Sequence, residues 1–257
     1  MPRVTTKDLV ALQRETGDVR NICILAHVDH GKTSLSDTLL ATNGIISERL
    51  SGAVWFLDYL EEEQRRRITM KSSVISLLHR GRYLVNLVDS PGHVDFSGEV
   101  SGAVRVTDGA LLLVDVVEGV CIQTRLVVQQ AWRERLRLCL VFTKMDKLIQ
   151  HAQMTPAEAY DHLCKLLEQV NAIMGALQHE DKLAREREHS NSSSNKEKEE
   201  KEEEEEEAYF SPEKGNVAFS SSTHRWGFRP SLLARMYAAR LHMNEAALQK
   251  VLWGRYY

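Results

Sequence analysis

Eight consecutive residues, Ala26-His27-Val28-Asp29-His30-Gly31-Lys32-Thr33, concentrate the chemistry of this chain. They follow an apolar run, Ile22 to Ala26, and open a helical stretch, Thr33 to Ala41. The pattern G-x-x-x-x-G-K-[ST] is met at every position but the first, where Ala26 stands for Gly. In such a loop backbone N–H groups and a helix N-terminus converge on a phosphate. The expected phosphate-binding set is His27, Val28, Asp29, His30, Gly31, Lys32, Thr33 and Ser34. Gly31 lets the chain wrap closely, Lys32 neutralises phosphate oxygens, and the Thr33 hydroxyl is a ligand for Mg²⁺.

Two further clusters stand downstream. The run Val85–Val88 ends in Asp89-Ser90-Pro91-Gly92-His93. An acid at the end of a neighbouring strand holds Mg²⁺, usually through water, and Gly92 allows a backbone N–H to meet a terminal phosphate. After Leu138–Phe142 comes Thr143-Lys144-Met145-Asp146. A carboxylate there can accept two hydrogen bonds from the N1–H and 2-amino edge of guanine, which adenine does not offer. The usual first residue of that motif is Asn; here it is Thr143. Each cluster has an ordinary explanation when taken alone: a chance strand–turn–helix, a strand-end Asp, and a helix N-cap by Asp146. The three together, in this order and context, indicate a GTPase.

The elements that must position these residues alternate. Ser73–Leu78 and Tyr83–Val88, separated by His79-Arg80-Gly81, predict a hairpin. Ala110–Val114 and Leu138–Phe142 are short continuous apolar runs, suited to strands buried on both faces. Helices are expected at Phe96–Val106, Gln123–Arg135, Pro156–Met174 and Ser231–Leu241, with a strand at Val217–Ser220. Alternation of this kind predicts an α/β fold: a mostly parallel sheet with helices on both faces. From Asp146 to Ser221 is 75 positions, whereas one crossover needs only about a dozen. The surplus is a Ser/Asn/Glu/Lys-rich insert, about 178–207, with no apolar periodicity. It is expected to be disordered, or else to prolong the preceding helix. The expected organisation is an extension at 1–18 and one domain at 19–257.

Composition narrows the classes. The 257 residues are 43% hydrophobic, enough for a core, and no run approaches the ~20 apolar residues of a membrane span. The N-terminus has no apolar signal region, so a cytoplasmic, membrane-free protein is expected. Its four cysteines form no C-x-x-C pair and are expected as reduced, buried thiols. Residues 196–207, KEKEEKEEEEEE, carry −6 against a whole-chain net of −3, which leaves the remainder at +3. That remainder is compatible with a nucleic-acid-rich partner.

At this point the motifs resemble a family. Ala26–Thr33, Asp89–Phe96 (DSPGHVDF) and Thr143–Asp146 are similar to those of translational GTPases of the elongation factor 2 and elongation factor G group. Asn43–Leu50 (NGIISERL), Ile68–Leu77 (ITMKSSVISL), Glu118–Thr124 (EGVCIQT) and Tyr209–Phe219 (YFSPEKGNVAF) resemble, more narrowly, the elongation factor-like GTPases of large-subunit maturation. The resemblance spans residues 1–175 and 208–257 and implies the phosphate-loop GTPase fold. It implies hydrolysis of Mg²⁺-bound GTP to GDP by a monomer, with the large ribosomal subunit and its RNA as partner and activator. It further implies work with the Shwachman–Bodian–Diamond syndrome protein to release initiation factor 6.

The resemblance also adds roles. Thr69 matches the first switch threonine, closing over Mg²⁺ and the γ-phosphate, so the implied metal set is Thr33, Thr69 and Asp89. His93 matches the catalytic histidine that orients water, with Val28 and Ile68 as the apolar gate. Asp29 matches a carboxylate linked to a monovalent cation. Thr143, Lys144, Asp146, Ser221 and Ser222 match the guanine-binding residues, the N–H of Ser222 meeting the guanine carbonyl. The family carries a small residue where this chain has Arg67. Arg65-Arg66-Arg67 reads as an RNA contact or, more simply, as solvated charge; Trp226-Gly227-Phe228 reads as a docking surface or, more simply, as core. Because family members continue into further domains, three readings stay open: a maturation factor, an elongation factor 2-type translocase, and a nucleotide-binding module that is a fragment, truncated product or standalone chain.

Overall fold

The computed structural model describes residues 6–47, 49, 55–189 and 209–254. Seven strands form one sheet: β1 (Val19–Ala26), β2 (Ser73–His79), β3 (Tyr83–Asp89), β4 (Gly109–Asp115), β5 (Arg137–Thr143), β6 (Val217–Ser221) and β7 (Trp226–Phe228). Their order is β2-β3-β1-β4-β5-β6-β7. The five inner strands are parallel, and β2 and β7 run antiparallel at the two edges. The helices are α1 (Thr6–Gln13), α2 (Lys32–Thr42), α3 (Glu61–Arg66), α4 (Ser97–Arg105), α5 (Ile122–Arg133), α6 (Asp146–Gln150), α7 (Pro156–His189), α8 (Pro230–Leu241) and α9 (Glu245–Val251).

The inner strands are apolar throughout because both faces are covered. In β1 the side chains alternate: Cys23 and Leu25 join Leu112, Val114, Leu140 and Phe142 against α4, α5 and α7. Ile24 and Ala26 face the other way with Leu87, Leu113 and Val141, covered by Leu35 and Leu39 of α2. This two-sided burial is the physical content of the continuous apolar runs. From β1 the chain passes to β3 on one side, then crosses back to β4 on the other. Strand order therefore reverses at β1, and the crevice beyond the strands' carboxyl ends opens there.

Four features depart from the sequence expectations. Helix α7 does not stop at Met174 but runs to His189, because Leu177 stays in the core and Asp181 accepts a hydrogen bond from Trp132 Nε1 at 2.9 Å. Residues 178–189 thus follow the second of the two expectations for the insert and prolong the helix; the rest of the insert, 190–208, lies outside the described residues, as do Glu48 and Leu50. Helices α1, α3, α6 and α9 and strand β7 were not anticipated; most are single turns or short pieces without apolar periodicity. Trp226 and Phe228 divide: Phe228 stacks on Phe219 at 5.5 Å, whereas Trp226 is 39% exposed. All four cysteines are free, but only Cys23 is fully buried; burial raises the thiol pKa of Cys23 and Cys139.

The chain re-enters the fold after the insert through a side-chain clamp. Asn171 of α7 donates to the Phe210 carbonyl at 2.9 Å and accepts from the Phe210 N–H at 2.8 Å. Phe210 itself is fully buried. Asn171→Ala leaves both backbone groups unpaired and is expected to cost about 1–3 kcal/mol. Replacing 196–207 by a neutral stretch of equal length is expected to leave the melting temperature unchanged. Thermal unfolding of the two variants checks this; a drop with the neutral stretch would place those residues in the packed domain.

Candidate functional site

All the motif residues collect at the carboxyl ends of the parallel strands. β1 ends at Ala26, β3 at Asp89, β4 at Asp115, β5 at Thr143 and β6 at Ser221. A cavity of about 140 Å³ opens there, lined by His27, Val28, Asp29, Gly31, Lys32, Thr33, Ser34, Gly92, Thr69 and Lys144, together with Trp55, Arg67 and Ile68. Two glycines are required by this geometry. Gly31 caps α2 with φ +86°, and a Cβ on Gly92 would stand 3.2 Å from the Ala26 carbonyl and 3.3 Å from the Val28 nitrogen. Val28 and Ile68 both line the cavity.

At the cavity floor Lys32 is 8% exposed. Its Nζ donates to Thr69 Oγ1 at 2.9 Å and lies 3.7 Å from Asp89 Oδ1. Thr33 Oγ1 and Thr69 Oγ1 are 3.2 Å apart. The segment carrying Thr69 is therefore folded down onto the loop carrying Lys32. Glu63 holds it there: this buried carboxylate accepts from the N–H groups of Leu60, Met70 and Lys71 at 2.8–3.0 Å. Asp89 and Asp58 are both fully buried, and none of their carboxylate oxygens meets a hydrogen-bond donor. Burial pushes both carboxyls above the usual range, against the pull of Lys32 on Asp89 and of the Thr69 hydroxyl and Lys32 on Asp58. Two buried carboxylates without donors beside two hydroxyls form the oxygen-rich donor set that suits a hard divalent cation.

The residues expected to read the base gather where β5 and β6 end. Asp146, 8% exposed, accepts from Ser221 Oγ at 2.6 Å, and Ser221 Oγ in turn accepts from the His224 N–H at 3.2 Å. Met145 N–H donates to the Ser220 carbonyl at 3.2 Å, which ties the two loops together, and Ser222 stands at the start of the turn that follows. Lys144, at φ +58°, pairs with the buried Asp115 at 2.5 Å. Thr143 Oγ1 donates to the His30 carbonyl at 2.8 Å, so the residue in place of Asn joins this loop directly to the phosphate loop.

Of the predicted site residues, His30, Asp89, His93, Thr143, Asp146, Ser221 and Ser222 are not among those that line the cavity. The His30 ring is buried beneath the loop between Leu113 and Asp115, with Nε2 3.4 Å from Glu118; burial lowers its pKa, so it is neutral. His27 Nδ1 is hydrogen-bonded to Gln123. His93 is turned along its own segment, its Nδ1 3.3 Å from Asp95 and its ring edge-on to Phe96. Sequence reasoning missed Asp58, Glu63 and Asp115. Asp115 carried a usable signal, an acid closing an apolar strand as Asp89 does; Asp58 and Glu63 belong to an irregular stretch whose place only the tertiary fold decides.

With this geometry in hand, the comparisons are consistent. The family model of the elongation factor Tu GTP binding domain matches residues 17–242, and the chain belongs to that family: it is a GTPase. Among its relatives, elongation factor-like GTPase 1 of Homo sapiens is 47% identical over 97% of this chain and 24% of its own length. Ribosome assembly protein 1 of Saccharomyces cerevisiae is 50% identical over 100% of this chain and 24% of its own. Elongation factor 2 of Staphylothermus marinus is 43% identical over 87% of this chain and 28% of its own. A crystal structure of a Thermus thermophilus protein aligns with TM-score 0.51 and 31% identity, covering 59% of this chain and 22% of that one. The chain thus spans about a quarter of the length of the curated relatives it matches. Among the described residues no helix is long and apolar enough to cross a membrane.

The electrostatics give a stability test. The folded state holds the Asp58 proton more tightly than the unfolded chain does, so the stability this group contributes is present below about pH 4 and is lost as pH rises through its raised folded value. In EDTA at pH 8, Asp58→Asn is expected to melt higher than the native chain by roughly 1 kcal/mol, the gap closing toward pH 4. Magnesium with guanine nucleotide is expected to reverse the order. Thermal scans over pH, with and without Mg²⁺, check both; a mutant less stable in EDTA at every pH would show that Asp58 is already compensated.

Proposed function

We propose that residues 19–257 form a GTP-hydrolysing domain acting in cytoplasmic ribosome assembly, with the site residues in the roles that follow. The observation that carries the reading is the cluster of Lys32, Thr33 and Thr69 beside the donor-free carboxylates of Asp89 and Asp58. In it, backbone N–H groups of residues 27–34, with Gly92, hold the phosphates. Thr33 and Thr69 offer hydroxyl ligands for Mg²⁺, with Asp89 and Asp58 behind them; the ion supplies charge neutralisation on the phosphates when bound. Lys32 adds a fixed cation that needs no reorganisation, and Val28 with Ile68 excludes bulk water. His93 orients the attacking water once its segment turns inward from Asp95, an event we assign to engagement of the large subunit. Asp146 accepts from the guanine edge, Lys144 covers the base, Thr143 fixes the loop, and Ser221 and Ser222 close the rim. Asp29, at φ +62° in the loop, is the residue we assign to a monovalent cation.

Relatives named for ribosome assembly, or as elongation factor-like GTPases, match at 46–50% identity over nearly the whole chain, whereas the elongation factor 2 relatives match at 40–43% over 87–89%. That difference supports the assembly reading over a translocase. Its finer content, release of initiation factor 6 together with the Shwachman–Bodian–Diamond syndrome protein by a monomeric factor, is part of the proposal.

Two substitutions test the site. Asp146→Asn is expected to weaken GTP binding at least about tenfold and shift preference toward xanthine nucleotides, since an acceptor becomes partly a donor. Equal GTP affinity in nucleotide titrations would remove Asp146 from the site. His93→Ala is expected to leave GTP affinity within a few fold while subunit-stimulated turnover falls about 10²-fold or more, the pattern of a contact made in the transition state. Lost affinity with unchanged turnover per bound GTP would sink that assignment.

A further inference from the structure

Arg67 is out of place by two independent measures. It closes α3 in the left-handed region, at φ +55° and ψ +41°, where an L side chain is disfavoured and glycine is the usual choice. It is nonetheless one of the residues that line the cavity, with Lys32, Thr33, Thr69 and Gly92. Its two neighbours behave as solvated charge: Arg65 and Arg66 pair with Glu62 at 3.8 and 3.1 Å on the exposed face of α3. Arg67 makes no hydrogen bond or ion pair with the described residues. An exposed guanidinium with no partner among the described residues, beside a cavity built for phosphate, is free to pair with a bound polyanion.

Glu63 anchors the position: its carbonyl accepts from the Arg67 N–H and, at 3.2 Å, from the Ile68 N–H, and its Oε1 accepts from the N–H groups of Met70 and Lys71. Thr69, two residues on, is fastened to Lys32. The backbone of Arg67 is therefore tied to the segment that meets the cavity floor, and Arg67 stands among the residues that line the cavity.

We propose that Arg67 is a phosphate-contacting residue of this GTPase, a cation carried in the chain itself that binds the terminal phosphate of GTP and stabilises the charge that develops there. It deepens the GTP-site reading and rests on it. Because the contact is to the phosphate that GDP lacks, Arg67 also discriminates between the two nucleotides.

The test separates charge from backbone. Arg67→Gly removes the guanidinium and relieves the backbone; Arg67→Ala removes it and leaves the backbone unfavourable; Arg67→Lys keeps a cation. Affinities for GDP and a slowly hydrolysed GTP analogue, single-turnover GTP hydrolysis and melting temperature are measured for the full chain and the three variants. Gly and Ala are expected to lower analogue affinity and single-turnover rate alike, by about tenfold or more, and to change GDP affinity less than about twofold. Lys is expected to retain part of both, and free guanidinium ion to restore part of the rate in Arg67→Gly. Arg67→Gly alone is expected to melt above the native chain. An Arg67→Gly variant that discriminates GTP from GDP and hydrolyses GTP as the native chain does would overturn the proposal. Absence of guanine-nucleotide binding by the native chain would overturn the site reading itself, a result distinguishable from failure of Arg67 alone.

Discussion

The buried ammonium of Lys32 is the interaction on which the site depends. It is nearly inaccessible to water, and its neighbours are the Thr69 hydroxyl at 2.9 Å and Asp89 at 3.7 Å. Removing a cation from water is costly unless opposite charge lies close, and an ion pair alone repays little of that cost. Here the carboxylates outnumber the cation: Asp89, Asp58 and Glu63 are all buried around it. Glu63 is satisfied by backbone N–H groups, whereas Asp89 and Asp58 are not. An excess of buried carboxylate of this kind suits a hard cation, and extensive apolar layers flank it.

Those layers also explain why the charges can be held so closely. Parallel strands covered on both faces place every strand end in one plane, and β1 at the order reversal lets loops from both sides approach. The phosphate loop consequently touches three others. Gly92 comes within van der Waals contact of its backbone, Thr69 is bonded to Lys32, and Thr143 is bonded to His30. With a Thr in the position where Asn is usual, the hydroxyl reaches the His30 carbonyl and joins the two loops by one hydrogen bond.

Much of this was legible in the sequence, for identifiable reasons. The inner strands were readable because double-sided burial leaves uninterrupted apolar runs, and the residues at their ends were readable because loop, strand and helix fall in a fixed order. The α7 overrun was not: residues 178–189 lack periodicity, and only Leu177 and the Trp132–Asp181 bond reveal that the helix is held against α5. The partial burial of Cys121, Cys139 and Cys164 likewise depends on which helix faces are covered. Asp58 shows the deeper limit. Nothing in Trp55-Phe56-Leu57-Asp58-Tyr59 marks the carboxylate as buried, because its environment is supplied by Lys32, Thr69 and Asp89, up to 31 positions away.

The segment from Asp58 to Lys71 thus does more than deliver one threonine. Asp58 is buried beneath it, Glu63 clasps its turn, Arg67 takes the disfavoured backbone at its apex, and Thr69 meets Lys32. Glu63 and Thr69 are paired, whereas Asp58 lacks a donor and Arg67 holds a left-handed backbone. A left-handed non-glycine residue costs about 1–2 kcal/mol, and a buried carboxylate without donors costs more. The folded-down segment therefore gathers, within fourteen residues, a donor-free carboxylate, a hydroxyl and a guanidinium beside one cavity, groups of the kinds that a divalent cation and a phosphate would engage.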